Sequence, residues 1–231
     1  MPKDTFNNLP EEKQQRIINV GIKEFAENPY DVASISKIVR QAGIAKGSFY
    51  QYFEDKNAFY QHLIALALDE KLRLVKDLPA PKNNTDLFGY LRWQFLTEVY
   101  FEIRHPYLSQ ISYRAFVERR HSEDMSEELQ RRGTTQFFKQ LVTQGALHGS
   151  IAPWVDADVA AFIIEILFYQ FGKYFVERLG LTEEDFIDQS IFYNEEAQHL
   201  INNLMDILVA GMETHPDIRK DFIETLTNST S

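Results

Sequence analysis

In the run SISKIVRQAGIAKGSFYQYFEDK, from Ser34 to Lys56, the side chains are of the types that contact nucleic acid. Lysine reaches guanine O6/N7 or a phosphate, and glutamine pairs with adenine. Serine and tyrosine hydroxyls serve phosphate oxygens. Lys46, Ser48, Tyr50, Gln51 and Tyr52 crowd into one short stretch and are expected on and around the exposed side of a single helix. Gly47 has no side chain, so the start of that helix could approach DNA without a clash, its free N–H groups and positive dipole end ready for a phosphate. Ser34, Lys37 and Lys56 complete the candidate contacts. From Ser34 to Phe53 there are Lys37, Arg40 and Lys46 but no carboxylate. This local purity matters more than total charge, because screening cuts off exposed charges beyond about 8 Å.

Other chemistries fit less well. Glu-x-x-His occurs as Glu102/His105, Glu118/His121 and Glu196/His199, and two such pairs plus two further glutamates would line a di-iron bundle. Yet His105 precedes Pro106 at a helix end, and His121 lies among Arg119, Arg120, Glu123 and Asp124. Only the Glu196 pair falls mid-helix, and one pair cannot hold two irons, so no metal is assigned. Gly43 to Ser48 resembles a phosphate loop, but its lysine precedes the second glycine and no strand leads into it. No Ser/His/Asp set or pair of acids is suggested by spacing, so neither a catalytic residue nor a cofactor is assigned and the chain is not read as an enzyme. The absence of cysteine excludes a disulfide scaffold, a zinc finger and a thiol nucleophile.

Helices must position the DNA-facing residues. Asn8-Leu9-Pro10-Glu11 reads as a capped helix start, and Ile18, Ile22, Phe25 and Ala26 carry an amphipathic pattern to about Asn28. Ser34 caps a short helix to about Gln41, with Ile35, Ile38 and Val39 as its apolar face. Ala42-Gly43-Ile44 forms a tight turn: alanine lets the helices cross closely, glycine takes positive φ, and Ile44 plugs the core beside Ile38. A third helix runs from about Ala45 to Tyr52, with Phe49 and Phe53 inward, and a longer one from about Lys56 to Asp77. Two short helices joined by a glycine-containing turn are the helix-turn-helix arrangement. After a breaker at 78–84, helices are expected at 85–104, 107–121, 125–147, 156–179 and 194–213, with a short one near 217–226. No segment alternates with period two, so the fold class is all-α.

The 231 residues carry 24 basic and 34 acidic side chains and a net charge of -10. At face value that opposes nucleic acid. Residues 1–60 are balanced, with eight of each sign, and the remaining 16 basic and 26 acidic residues carry the whole excess. No apolar leader opens the chain and no run reaches the ~18 apolar residues of a membrane span, so a soluble cytoplasmic protein with no membrane partner is expected.

The run Ser34 to Lys56, with Ala42-Gly43-Ile44-Ala45-Lys46-Gly47-Ser48-Phe49-Tyr50-Gln51-Tyr52-Phe53 at its centre and Phe59 beyond, resembles the DNA-binding signature of the TetR/AcrR family of bacterial regulators. Two positions depart from it: Val39 stands where alanine is usual, and Ala45 where a capping serine or threonine is usual, a loss of ~0.5–2 kcal/mol. The resemblance implies a DNA-binding domain over 1–55 and a helical effector-binding and dimerisation domain over 56–231. A homodimer would place two recognition helices on a palindromic double-stranded operator, released when a small molecule binds the body. Residues 88–175 hold 18 of the 31 aromatics, and Trp93, Tyr100, Phe101, Tyr113, Phe116, Phe137, Phe168 and Tyr169 are the candidate pocket wall, with Glu98 and Glu165 as polar members. Helix 156–179 is apolar on nearly every face, so one side needs a partner. Phe162 and Ile166, with Leu200, Leu204 and Leu208 of helix 194–213, are the candidate dimer interface. The alternative left open is a di-iron-type or small-molecule-binding bundle with no operator function.

Overall fold

A computed structural model describes residues 2–78, 87–118, 134–182 and 194–212. Ten helices are defined there: α1 (Asp4–Asn7), α2 (Glu11–Glu27), α3 (Ile35–Ala42), α4 (Lys46–Tyr52), α5 (Lys56–Asp77), α6 (Leu87–Arg104), α7 (Pro106–Glu118), α8 (Thr134–Leu147), α9 (Ala157–Leu179) and α10 (Glu195–Met212). There is no strand among the described residues. The expected end of helix 107–121, the start of helix 125–147, most of the breaker at 78–84 and the helix near 217–226 lie outside them.

The first four helices and the outer half of α5 form an N-terminal head. Its core is built from Ile17, Phe25, Ile38, Phe49, Phe53, Phe59 and Leu63, all fully buried, with Ile111 inserted from α7. The expected division at 55/56 falls at the start of α5, whose Phe59, Tyr60, Leu63 and Ile64 pack in that core. Gly21 is required there: a Cβ would come within 2.4 Å of the Phe59 ring. The body packs α6 against α9, with α8 and α10 on its flanks. Gly172 of α9 lets the helices touch, since a Cβ would stand 3.0 Å from the Glu98 carbonyl oxygen.

By length and composition alone, α9 is apolar enough to cross a membrane. One face, Ile164, Phe168, Phe171 and Phe175, is spent on the body core. The other shows Val159, Phe162, Ile163 and Tyr174 to solvent.

Local chemistry explains the helix ends. The Ser34 hydroxyl accepts from the Lys37 amide at 3.3 Å, and Asp55 and Asp156 cap α5 and α9 in the same way. Gly43 ends α3 in the left-handed region at φ 68°. One expectation needs correction. Asn8 does not cap α2; Pro10 holds that position without a side-chain bond, while Asn8 ends α1. The helix α1 itself carries no apolar period, because four residues make barely one turn.

Candidate functional site

The helix pair α3–α4 meets the requirements of a nucleic-acid reader. In α4, Lys46, Gly47, Tyr50 and Gln51 face solvent, Ser48 is half-buried, and Phe49 is fully buried as its anchor. A Cβ on Gly47 would meet nothing within 4 Å. The chain's own packing therefore does not demand glycine there.

The recognition helix has no side-chain cap at Ala45. Its support comes from the opposite end. The Lys3 backbone N–H donates to the Tyr52 carbonyl at 2.8 Å, Lys3 Nζ donates to the Tyr50 carbonyl at 3.0 Å, and the Thr5 hydroxyl donates to the Gln51 carbonyl. Three of the four carbonyls a helix end leaves open are thus occupied by α1 and by Lys3, which immediately precedes it. Tyr52, expected on the exposed side, is turned inward at 6% exposure. Spacing explains it: Tyr52 follows Phe49 by three residues and shares its face, where the Phe6 ring meets it at 6.0 Å.

The flanking cations are tied within the chain. Lys37 Nζ lies 2.6 Å from Glu24 Oε2, and Glu24, 3% exposed, also accepts from the Ser34 amide at 3.1 Å. Hydrogen bonding to Glu24 holds the Lys37 ammonium above its ordinary range. The carboxylate-free stretch seen along the chain is therefore not carboxylate-free in space, since α2 supplies Glu24. Lys56 Nζ stands 4.6 Å over the Tyr30 ring and reaches the Asp31 carbonyl at 3.4 Å. It follows that Lys37→Ala should lower the melting temperature, by leaving Glu24 buried without its cation, yet leave the salt dependence of DNA binding unchanged. A thermal melt beside a salt titration checks both; a salt slope reduced by about one would instead assign Lys37 a phosphate.

The aromatic candidates divide into two groups. Phe101, Phe168, Tyr169 and Phe116 gather around a residue that spacing did not single out, Lys71 of α5. Its ammonium lies 4.6 Å from the Phe168 ring centre, 5.3 Å from Phe101 and 5.5 Å from Tyr169, and it pairs with the buried carboxylate of Glu98. Phe116 stacks on Tyr169 at 4.7 Å. Burial pushes the Glu98 carboxyl up, and Lys71 pulls it back. Burial also raises Glu102, one turn on, with a hydrogen bond to Ser109 opposing. Trp93 and Phe137 sit elsewhere, joined through Tyr90 at 5.5 and 6.2 Å. There Tyr90, Phe137, Gln144 and His148 line a hollow of about 340 Å³. Tyr100 and Tyr113 are half-buried on α6 and α7, and Glu165 is buried with the Thr135 hydroxyl on it. A signal for Lys71 was present: it continues the inward stripe Ile64, Ala67 at the next turn.

Of the candidate interface residues, Leu204 and Leu208 are buried in the body core, Ile166 and Leu200 are half-buried, and Phe162 is 42% exposed. Ile207, on the same apolar helix as Leu204 and Leu208, faces solvent at 70% exposure. A groove of about 740 Å³ runs between α9 and α10, with Tyr174, Leu200, Leu204 and Ile207 on its walls. The two described Glu-x-x-His histidines are also placed: His105 faces Glu70 at 3.3 Å, and His199 meets Asn203 at 3.1 Å.

A glycine-turned helix pair with a solvent-facing second helix, mounted on an all-helical body, defines a helix-turn-helix DNA-binding transcriptional regulator. Comparison with known proteins agrees. The model of bacterial regulatory proteins of the tetR family matches residues 17–63, and that of the tetracyclin repressor-like C-terminal domain matches residues 85–213. The chain belongs to the TetR family. A TetR-family transcriptional regulator from Chloroflexus aurantiacus is 38% identical, with a TM-score of 0.78 over 93% of this chain and 100% of that one. The uncharacterized HTH-type regulator YvdT of Bacillus subtilis is 39% identical over 74 residues, 30% of this chain and 36% of YvdT; the chain thus spans about a third of the length of that curated relative. The regulator FadR from Bacillus subtilis, solved in complex with stearoyl-CoA, shares the fold at 19% identity and a TM-score of 0.54, covering 86% of this chain and 99% of FadR.

Proposed function

We propose that this chain is a ligand-responsive repressor: a homodimer that holds a palindromic operator through two α4 helices and releases it when a small molecule enters the body. The observation that carries the DNA half is the outer face of α4, where Lys46, Tyr50 and Gln51 stand in solvent around a glycine that internal packing does not need. Gly47 fits close approach to a phosphate, Lys46 and Gln51 fit base edges, and the Tyr50 and Ser48 hydroxyls fit the backbone. The dimer half draws on the exposed apolar residues Val159, Phe162, Ile163, Tyr174 and Ile207 of α9 and α10, a surface of the kind that marks a partner site.

Linkage between body and head draws on two helices. In α5, Phe59 and Leu63 lie in the head core while Lys71 lies in the body. In α7, Ile111 enters the head core, Phe116 stacks on Tyr169, and Arg114 donates to the Ala26 and Glu27 carbonyls at 3.0 and 3.3 Å, closing the end of α2. A change around the aromatic cluster would thus reach the head by both routes.

Lys46→Ala and Tyr50→Ala should each weaken operator binding by about 1–3 kcal/mol without shifting the melting temperature. A gel-shift titration on the chain's own promoter DNA reads the first and a thermal melt the second. Undiminished binding in both variants would remove α4 as the reading surface.

A further inference from the structure

The ammonium of Lys71 is itself a bound cation. It sits against the rings of Phe101, Phe168 and Tyr169, at 4.6 to 5.5 Å from their centres, and on the carboxylate of Glu98. Ring faces carry the negative lobe of the aromatic quadrupole and hold cations within about 6 Å, most strongly where water is excluded. Glu98 is 4% exposed, and Phe101 and Phe168 are 0% and 5% exposed. Rings and a buried acid arranged this way recognise an ammonium whatever chain carries it.

We propose that this cage is a receptor site for an organic cation with an apolar body, and that Lys71 occupies it as an internal stand-in which the ligand displaces. The proposal rests on the ligand-responsive reading above and names the ligand's class. An anionic ligand fits poorly: it would face three ring faces, Glu98, and Glu102 on the next turn of the same helix. Lys71 can leave, because its side chain keeps 14% exposure and its long stem can carry the charge out to water. Departure frees the far end of α5, the helix whose other end lies in the head core. The cage therefore couples occupancy to the reading head without any rearrangement of the body's own helix pairs.

The test uses the full chain with three probes: phenyltrimethylammonium, its neutral isostere tert-butylbenzene, and decanoate as an anion. Calorimetry reads affinity, and a gel shift reads operator release. Phenyltrimethylammonium should bind at least about tenfold more tightly than the isostere, and Glu98→Gln should narrow that preference, leaving only the share the three rings supply. Should Glu98→Gln fail to fold, as its circular dichroism would show, the comparison of charged and neutral probes in the natural chain still decides. Equal affinities, tightest binding by decanoate, or no binding by any probe each overturns the cage assignment. Operator release by decanoate alone would overturn it and keep the ligand-responsive reading. Tight cation binding that leaves the operator bound would keep the cage and remove the release step.

Discussion

Replacing Phe53 with alanine should unfold the reading head and abolish operator binding while the helices of the body persist. Phe53 is fully buried and ties the head together: its ring centre lies 4.6 Å from Phe59, 4.9 Å from Phe6, 5.6 Å from Phe49 and 5.8 Å from His62. These partners come from α5, α1 and α4, so one ring joins the recognition helix to the helix that caps it and to the helix that links it to the body. Truncating a buried phenylalanine costs about 3–5 kcal/mol. Whole domains hold about 5–15 kcal/mol, and small ones sit at the low end. The loss therefore consumes most of the head's stability, whereas Phe53→Leu, nearer in volume, should cost under about 1.5 kcal/mol. Hydrogen exchange resolved by segment checks the claim. Protection should vanish across residues 4–64 in Phe53→Ala and survive in α6, α9 and α10. Uniform loss over both halves would show that head and body melt as one unit.

The head was largely legible along the chain, because its elements announce themselves with local chemistry. Ser34 three residues before the Lys37 amide, Gly43 after a short apolar face, and Phe49 with Phe53 one turn apart each state a helix end or a facing without reference to anything distant. What stayed hidden was pairing across the fold. Glu24 and Lys37 belong to different helices, and nothing in either segment says they meet. Tyr52 has the hydroxyl of a phosphate contact; its spacing from Phe49 points inward, but the Phe6 ring of α1 that it meets there is invisible in its own segment. The body was legible as helices but not as a site, since aromatic residues there serve both core and cavity. Its most informative residue was a lysine: Lys71 stands on the inward stripe of α5, and a charge in that register requires an opposite charge or an unusual host.

The charge asymmetry acquires a physical reading from these placements. Lys37 and Lys56 are occupied by Glu24, Tyr30 and the Asp31 carbonyl, while Lys46 of α4 and Arg40 near the end of α3 are exposed to solvent. On the function proposed above, few cations facing DNA and an acidic body behind them imply weak sequence-independent adhesion. Binding would then depend on base-edge contacts and on the spacing of the two heads of the proposed dimer.

Lys71→Met should destabilise the body by about 3–5 kcal/mol at neutral pH, because removing one member of a buried ion pair strands the other. The stranded group is the Glu98 carboxylate, 4% exposed in the core between α6 and α9. Burial already pushes its carboxyl above the ordinary glutamate range, and Lys71 is the largest influence holding it down. Without Lys71 the folded value rises further, while the unfolded value stays where it was. A raised folded value means the folded state binds the extra proton more tightly, so its benefit is present at low pH and is lost as pH rises through that value. The deficit of Lys71→Met relative to the natural chain should therefore be smallest in mild acid and widest above neutrality. Melting temperatures of the two proteins at about pH 5.5 and pH 8 measure the gap directly. A gap that stays constant, or widens in acid, would contradict a stranded Glu98. The double variant Lys71→Met with Glu98→Gln separates charge from packing: with no charge left in the cage, it should recover most of the stability and lose the pH dependence, the behaviour of a buried pair replaced by neutral groups of similar size. An unrecovered double variant would show instead that the ammonium's contact with the three rings, rather than its pairing with Glu98, is what holds α5 to the body.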